Sequence, residues 1–114
     1  MKRTLVSNER PHQSDGVIAY DDHDVLTLYR YIDDTDEDGD TLYEVEEYLR
    51  GIPGTIIRRV LGAENNLQVF DWFKKNLIAE ESNSLDAIIE FLDQNCIPYV
   101  YDDGDDGDDF LYDD

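Results

Sequence analysis

The stretch "VLTLYRYI", residues 25–32, decides the fold because it reads as the central strand of an antiparallel sheet. Its bulky side chains alternate between the two faces of an extended chain. One face carries Leu26, Leu28 and Ile32, and the other carries Val25, Thr27, Tyr29 and Tyr31. Bulk on both faces is typical of a central strand rather than of an edge strand.

The chain before this stretch predicts a hairpin partner. Residues 16–20 read "GVIAY", and the acidic segment "DDHD" at 21–24 separates them from the central strand as a turn. Residues 1–15 are polar, contain Pro11 and show no hydrophobic periodicity. We therefore expect a loose N-terminal arm over residues 1–15.

The chain after it supplies another acidic turn, "DDTDEDGD" at 33–40, followed by "TLYEVEEYL" at 41–49. Residues 41–49 fit a strand, and they also fit a helix through Leu42, Val45 and Leu49. We favour a strand because its hairpin partner lies just upstream.

Three helices and a last strand follow. We predict helices over 55–62, with Thr55 as N-cap and Gly62 as the C-terminal stop, over 66–78 and over 84–95. The segment "IPYVY", 97–101, predicts a short strand. The expected fold class is α+β: an antiparallel hairpin or meander, three helices and a final strand in a single domain over 16–101, then a disordered acidic tail over 102–114.

The composition is strongly acidic. The 114 residues include 29 acids and 9 bases, a formal net charge of -20, which disfavours direct binding to nucleic acid or to an anionic membrane and favours a basic partner. Cys96 is the single cysteine, which excludes an intrachain disulfide. Without a signal-like or membrane-spanning apolar run, we expect a cytoplasmic protein with no cofactor.

Oxygen ligands at alternate positions raise the possibility of a calcium loop at Asp34, Asp36 and Asp38, followed by Gly39. An EF-hand also needs a bidentate Glu at its twelfth position, which here is Val45. We therefore predict no dedicated metal site.

The same alternation suggests imitation of nucleic acid. Alternate residues of a strand lie about 6.6 Å apart, twice the rise per residue, which is broadly the separation of successive phosphates. In size, charge and aromatic content the chain resembles the acidic DNA mimics among phage anti-restriction and anti-CRISPR inhibitors. This resemblance of class implies a non-enzymatic inhibitor in the nucleic-acid groove of a host restriction enzyme or CRISPR effector.

The candidate partner-binding residues lie in the two acidic turns, the strand after them and the tail. They are Asp21, Asp22, Asp24, Asp33, Asp34, Asp36, Asp38, Asp40, Glu44, Glu46, Asp105, Asp106, Asp108, Asp109, Phe110 and Tyr112. Tyrosines of the acidic half, Tyr29 among them, could be core residues or could pack against a partner's arginines.

Other functions stay open. An immunity protein or antitoxin that neutralises a basic nuclease toxin needs the same charge and a more sharply shaped interface, and a calcium-binding module and a halophilic domain rank below it. Catalysis is not expected, because His12, His23 and Cys96 suggest no nucleophile or acid–base pair. A homodimer is possible.

Overall fold

The computed structural model of the chain describes residues 1–78 and 84–103. Within these ranges the chain forms one five-stranded antiparallel sheet and three helices, which confirms the predicted α+β class. The elements in chain order are β1 (Lys2–Arg10), β2 (Gln13–Asp22), β3 (Val25–Thr35), β4 (Thr41–Pro53), α1 (Gly54–Leu61), α2 (Asn66–Asn76), α3 (Asp86–Gln94) and β5 (Val100–Asp103).

The sheet is a meander in which each strand pairs with the next one in sequence. The predicted central position of β3 is confirmed, because β3 pairs with β2 on one side and with β4 on the other. Its two faces differ in burial: Leu26 and Leu28 are fully buried, whereas Tyr29 and Tyr31 are only partly covered.

The prediction of a loose arm over residues 1–15 is wrong. These residues form β1 and the beginning of β2, paired from Lys2 opposite Tyr20 to Arg10 opposite Gln13. A bulge between Thr4 and Val6 interrupts the alternation of β1, and Leu5 is its only buried side chain. The strand is therefore held mainly by pairing with β2, a tertiary contribution that hydrophobic periodicity does not reveal.

Residues 41–49 form a strand, as favoured over a helix, and β4 continues to Pro53. Opposite β3, the partner of Leu28 is Leu49 and the partner of Leu26 is Ile52, so β4 carries one extra residue between these pairs. Gly51 lies there with φ 71°, a left-handed conformation that glycine adopts without penalty. The bulge returns Ile52 to the same face as Leu49, where both are fully buried.

The three helices pack on one face of the sheet. The buried core combines apolar side chains of the sheet with those of the helices: Leu5, Val17, Ala19, Leu26, Leu28, Leu49, Ile52, Ile57, Val69, Phe70, Phe73, Ile78, Leu85, Ile88, Leu92 and Ile97. Between Tyr29 and Tyr48 no residue is fully buried, so the β3–β4 hairpin extends beyond this core.

The helix ends follow their local chemistry. The predicted N-cap Thr55 is wrong: Pro53 occupies that position, and the Thr55 hydroxyl instead donates to Asp24 Oδ2 at 2.5 Å. Gly62 ends α1 as predicted, at φ 69°. The side chain of Asn65 caps α2 by accepting from Gln68 N at 2.9 Å. The last strand begins and ends later than predicted, at Val100 and Asp103 rather than over 97–101.

Candidate functional site

The face of the sheet opposite the helices carries a stack of tyrosines, which we name the tyrosine face after Tyr20, Tyr29, Tyr31 and Tyr48. Tyr29 lies in the middle of the stack, with its ring centroid 4.8 Å from that of Tyr48 and 5.7 Å from that of Tyr31. The backbone explains this arrangement, because Tyr29 pairs directly with Tyr48 across the strands and Tyr31 follows two residues later on the same face.

A glycine fixes one end of the stack. Gly16 is directly opposite Tyr31, and a Cβ at Gly16 would lie only 3.1 Å from Tyr31 Cε1. The Tyr31 ring therefore covers the Gly16 backbone in space that a side chain would otherwise fill. This contact keeps the ring against the sheet rather than in solvent.

Burial and a nearby carboxylate raise the pKa of two tyrosines of this face, Tyr29 and Tyr48. The Tyr29 hydroxyl donates to Glu46 Oε2 at 3.0 Å. Partial burial, with this hydrogen bond and the negative charge of Glu46, raises the pKa of Tyr29 far above its usual value. Burial and the Glu46 charge also raise the pKa of Tyr48. Both side chains are therefore neutral hydrogen-bond donors.

Three of the candidate acids lie together on the tyrosine face. Asp33 is opposite Glu44 in the β3–β4 ladder, and Glu46 is opposite Tyr31. Asp34 lies on the other face, and its Oδ1 is buried without a hydrogen-bond partner in the described part of the chain. The β3–β4 pairing therefore separates Asp34 from the acids beside it in sequence.

The acids of residues 36–40 lie in the β3–β4 turn. They are therefore not spaced along an extended strand, contrary to the expectation from the sequence. The Asp36 carboxylate accepts hydrogen bonds from Asp38 N at 2.8 Å and from Asp40 N at 2.9 Å, and Gly39 has φ 88°. Asp36 therefore stabilises the turn. Asp38 and Asp40 are exposed, as is Glu37 just before them.

The β2–β3 turn is built differently. Its central residues His23 and Asp24 have φ 54° and 69°, as in the type I′ turns that suit the twist of a hairpin. Both Asp24 carboxylate oxygens accept from the Arg58 guanidinium of α1, and Asn66 Nδ2 donates to Asp24 Oδ1 at 2.9 Å. The hydrogen bonds from Arg58, Thr55 and Asn66 lower the pKa of Asp24 well below its usual range.

The two other predicted acids of this turn also differ from each other. Asp21 Oδ2 accepts from Asn66 Nδ2 at 2.9 Å, and Asp21 Oδ1 accepts from Asp24 N at 3.0 Å. Asp22 is exposed, and its carboxylate lies 2.7 Å from His23 Nδ1. Asp21 and Asp24 are thus tied to the helices, and only Asp22 has the exposure expected of a partner-binding residue.

Five arginines form ion pairs with acids that lie outside the β3–β4 turn and outside the Asp33, Glu44 and Glu46 group. They pair as Arg3 with Asp71, Arg10 with Asp15, Arg30 with Glu47, Arg50 with Asp102 and Arg58 with Asp24. Within residues 1–78 and 84–103, none of these ion pairs includes an acid of the β3–β4 turn or of the Asp33, Glu44 and Glu46 group. This surface therefore keeps its full formal negative charge.

Sequence reasoning missed a cleft on the tyrosine face. A cavity of about 440 Å³ is lined by Tyr20, Thr27, Tyr29, Tyr48 and Arg50. The alternation of Tyr29 with Thr27, together with the pairing of Tyr29 and Tyr48, is the signal that places most of this lining on one face. Arg50 follows Tyr48 by two residues and so shares this face, but it lies one residue beyond the strand predicted over 41–49.

The predicted residues Asp105, Asp106, Asp108, Asp109, Phe110 and Tyr112 lie outside the described residues. Among the residues that the structure describes, no group of three or more His, Cys, Asp or Glu side chains is arranged to hold a metal ion. No helix in that part of the chain is both long and apolar enough to cross a membrane.

Comparisons with protein families, with curated protein sequences and with solved structures find no match for this chain.

Proposed function

We propose that this protein is a non-enzymatic acidic inhibitor that occupies the basic nucleic-acid-binding groove of another protein. The observation that carries the proposal is one continuous acidic surface, formed by the β3–β4 turn and the strand residues beside it. Its members are Asp33, Glu37, Asp38, Asp40, Glu44 and Glu46, none of which forms an ion pair in the described part of the chain.

Charge explains how such a surface would compete with nucleic acid. A groove lined by Lys and Arg attracts phosphates and releases counterions when it binds them. Carboxylates held on a paired hairpin offer the same charge from a rigid backbone, so little ordering free energy is lost on binding. The net charge of -20 would also accelerate encounter with a basic protein.

The target class that we propose is a defence nuclease, either a restriction enzyme or a CRISPR effector. These proteins need an accessible basic groove for the duplex, and an inhibitor in that groove needs no catalytic residues. A phage or another mobile element would benefit from encoding such an inhibitor.

The test is competitive inhibition of purified restriction enzymes and CRISPR effectors from the cell that carries the gene. DNA cleavage is measured at several concentrations of inhibitor and of duplex DNA. Support requires that the concentration needed for half inhibition rises with the DNA concentration and that binding weakens steeply with added salt. Inhibition that is indifferent to DNA concentration would refute mimicry of nucleic acid.

A nuclease toxin provides the second arm of the test. If the protein neutralises a toxin nuclease encoded beside it, and duplex DNA does not displace it, then the immunity function replaces the inhibitor function. Tight binding that survives high salt would point in the same direction, because a shaped interface depends less on screened charge.

A further inference from the structure

The cleft on the tyrosine face has aromatic rings in its wall and carboxylates at its border. Rings of Tyr20, Tyr29 and Tyr48 line it, with Thr27 and Arg50 completing the wall. It lies beside the acidic surface, because Tyr29 hydrogen-bonds to Glu46. A partner that covers the acidic surface would therefore also meet this cleft.

The cleft wall already holds one guanidinium. Arg50 Cζ lies 4.0 Å from the centre of the Tyr48 ring, and Arg50 Nε donates to Asp102 Oδ2 at 3.2 Å. An aromatic face with a carboxylate at its edge is the arrangement that binds a planar cation, because the ring attracts its charge and the carboxylate accepts its N–H groups.

The same two elements, a ring and a carboxylate, occur again at Tyr29. Tyr29 lines the cleft, and its hydroxyl donates to Glu46 Oε2 at 3.0 Å. Asp102 balances Arg50, so the Glu46 carboxylate leaves one formal negative charge around the cleft. This charge disfavours an anionic ligand.

We propose that the cleft binds an arginine side chain of the basic partner, stacked on the rings of Tyr20 and Tyr29 and paired with Glu46. The identity of the partner rests on the proposed function, whereas the chemistry of the cleft can be tested without it. Arginine is preferred to lysine because its flat guanidinium can stack on a ring and donate to a carboxylate at once.

The direct test uses small probes and the intact protein. N-acetyl-arginine amide, N-acetyl-lysine amide, N-acetyl-tryptophan amide and AMP are titrated separately while NMR follows the tyrosine ring signals. We expect saturable shifts at Tyr20, Tyr29 and Tyr48 with the arginine probe and several-fold weaker binding of lysine. Tighter binding of AMP or of the tryptophan probe would overturn the proposal.

Matched variants locate the binding. Tyr20→Ala removes one wall and should abolish the saturable shifts, whereas Tyr43→Ala removes an exposed tyrosine outside the cleft lining and should leave them unchanged. Glu46→Gln keeps the size of the side chain and should weaken arginine binding more than lysine binding. Arginine shifts that spread evenly over the acidic surface, or that survive Tyr20→Ala, would contradict the cleft as the site.

Two outcomes separate this proposal from the proposed function. Saturable arginine binding without inhibition of any nucleic-acid-binding protein would support the arginine site and refute the inhibitor function. Inhibition that persists at full strength in Tyr20→Ala, with no arginine binding to the cleft in the wild type, would support the inhibitor function and refute the arginine site.

Discussion

The two acidic turns at opposite ends of β3 look alike in sequence and differ in structure. In the β2–β3 turn, Asp24 is bound by Arg58 of α1 and by Asn66 of α2. In the β3–β4 turn, Asp38 and Asp40 project beyond the helices and form no ion pair in the described part of the chain. An acidic run therefore stabilises the fold or offers charge to a partner according to what the topology places beside it.

Removing single charges gives the largest expected contrast. Asp24→Asn should lower the melting temperature by several degrees, because the uncharged side chain no longer pairs with the Arg58 guanidinium. Asp38→Asn should leave it unchanged or raise it slightly, because one repulsive charge is removed. Thermal unfolding followed by circular dichroism measures both.

Gly54→Ala is an independent control for the Asp24 result. A Cβ at Gly54 would overlap Asp24 Oδ1, so the substitution should disturb the contact with Arg58 while leaving the charge in place. Equal melting temperatures for Asp24→Asn and Asp38→Asn would break the distinction between the two turns.

Acid should remove the stability that the β2–β3 turn contributes through Asp24. The pKa of Asp24 is lowered in the folded state, so the stability that its charge contributes is complete above the ordinary pKa of 3.8 and is lost as the pH falls below that value. In Asp24→Asn the free energy of unfolding should consequently vary less with pH below about pH 5. Urea unfolding at a series of pH values measures this slope.

Part of the acid sensitivity should remain in that variant because of Glu47. Burial opposes its charge, but hydrogen bonds from Tyr101 and Arg30 lower its pKa overall. A second variant, Glu47→Gln, should remove this remainder, and an acid limb that neither substitution changes would show that other carboxyl groups control it.

Partner binding should depend on the β3–β4 turn, whereas folding stability depends on the β2–β3 turn. The combined substitutions Glu37→Gln, Asp38→Asn and Asp40→Asn should weaken binding to the target about 3- to 100-fold, because each exposed pair contributes about 0.2–1 kcal/mol. The salt dependence of the affinity should become shallower. Titration calorimetry at several salt concentrations measures both effects.

The matched control removes three exposed acids from the helical side: Glu64→Gln, Asp86→Asn and Glu90→Gln. This variant has the same net charge as the turn variant but keeps the β3–β4 turn intact. Similar losses of affinity in both variants would mean that total charge, rather than the hairpin surface, determines binding.

Screening should produce the smallest effect. The melting temperature of the wild type should rise modestly between low and physiological salt, because the Debye length falls to about 8 Å and repulsion among the hairpin acids weakens. The turn variant should show a smaller rise. A melting temperature that is flat or falls with salt in the wild type would mean that the acids are already compensated within the fold.

Most of the fold follows from hydrophobic periodicity in the sequence. Each prediction that is wrong has an identifiable structural cause. Residues 25–32 of β3 show an alternating pattern of bulky residues, and the three helices show helical patterns of apolar residues. β1 shows none, because a bulge interrupts it and pairing with β2 holds it. Thr55 does not cap α1, and its hydroxyl donates a hydrogen bond to Asp24, 31 residues earlier.

The candidate site was only partly predictable for the same reason. The placement of Asp33, Glu44 and Glu46 on one face follows from strand alternation and hairpin pairing. The contact of Asp24 with Arg58 joins residues 34 positions apart. Such a long-range contact leaves no pattern in a single sequence.

The absence of a fully buried residue between Tyr29 and Tyr48 has an evolutionary consequence. Selection for a stable core constrains the ends of β3 and β4 that lie under the helices, but it constrains this projecting hairpin only weakly. Substitutions there can change which surface the protein recognises at little cost in folding free energy. The molecule thus combines a scaffold constrained by its buried core with a hairpin that can accept substitutions at a smaller cost in folding free energy.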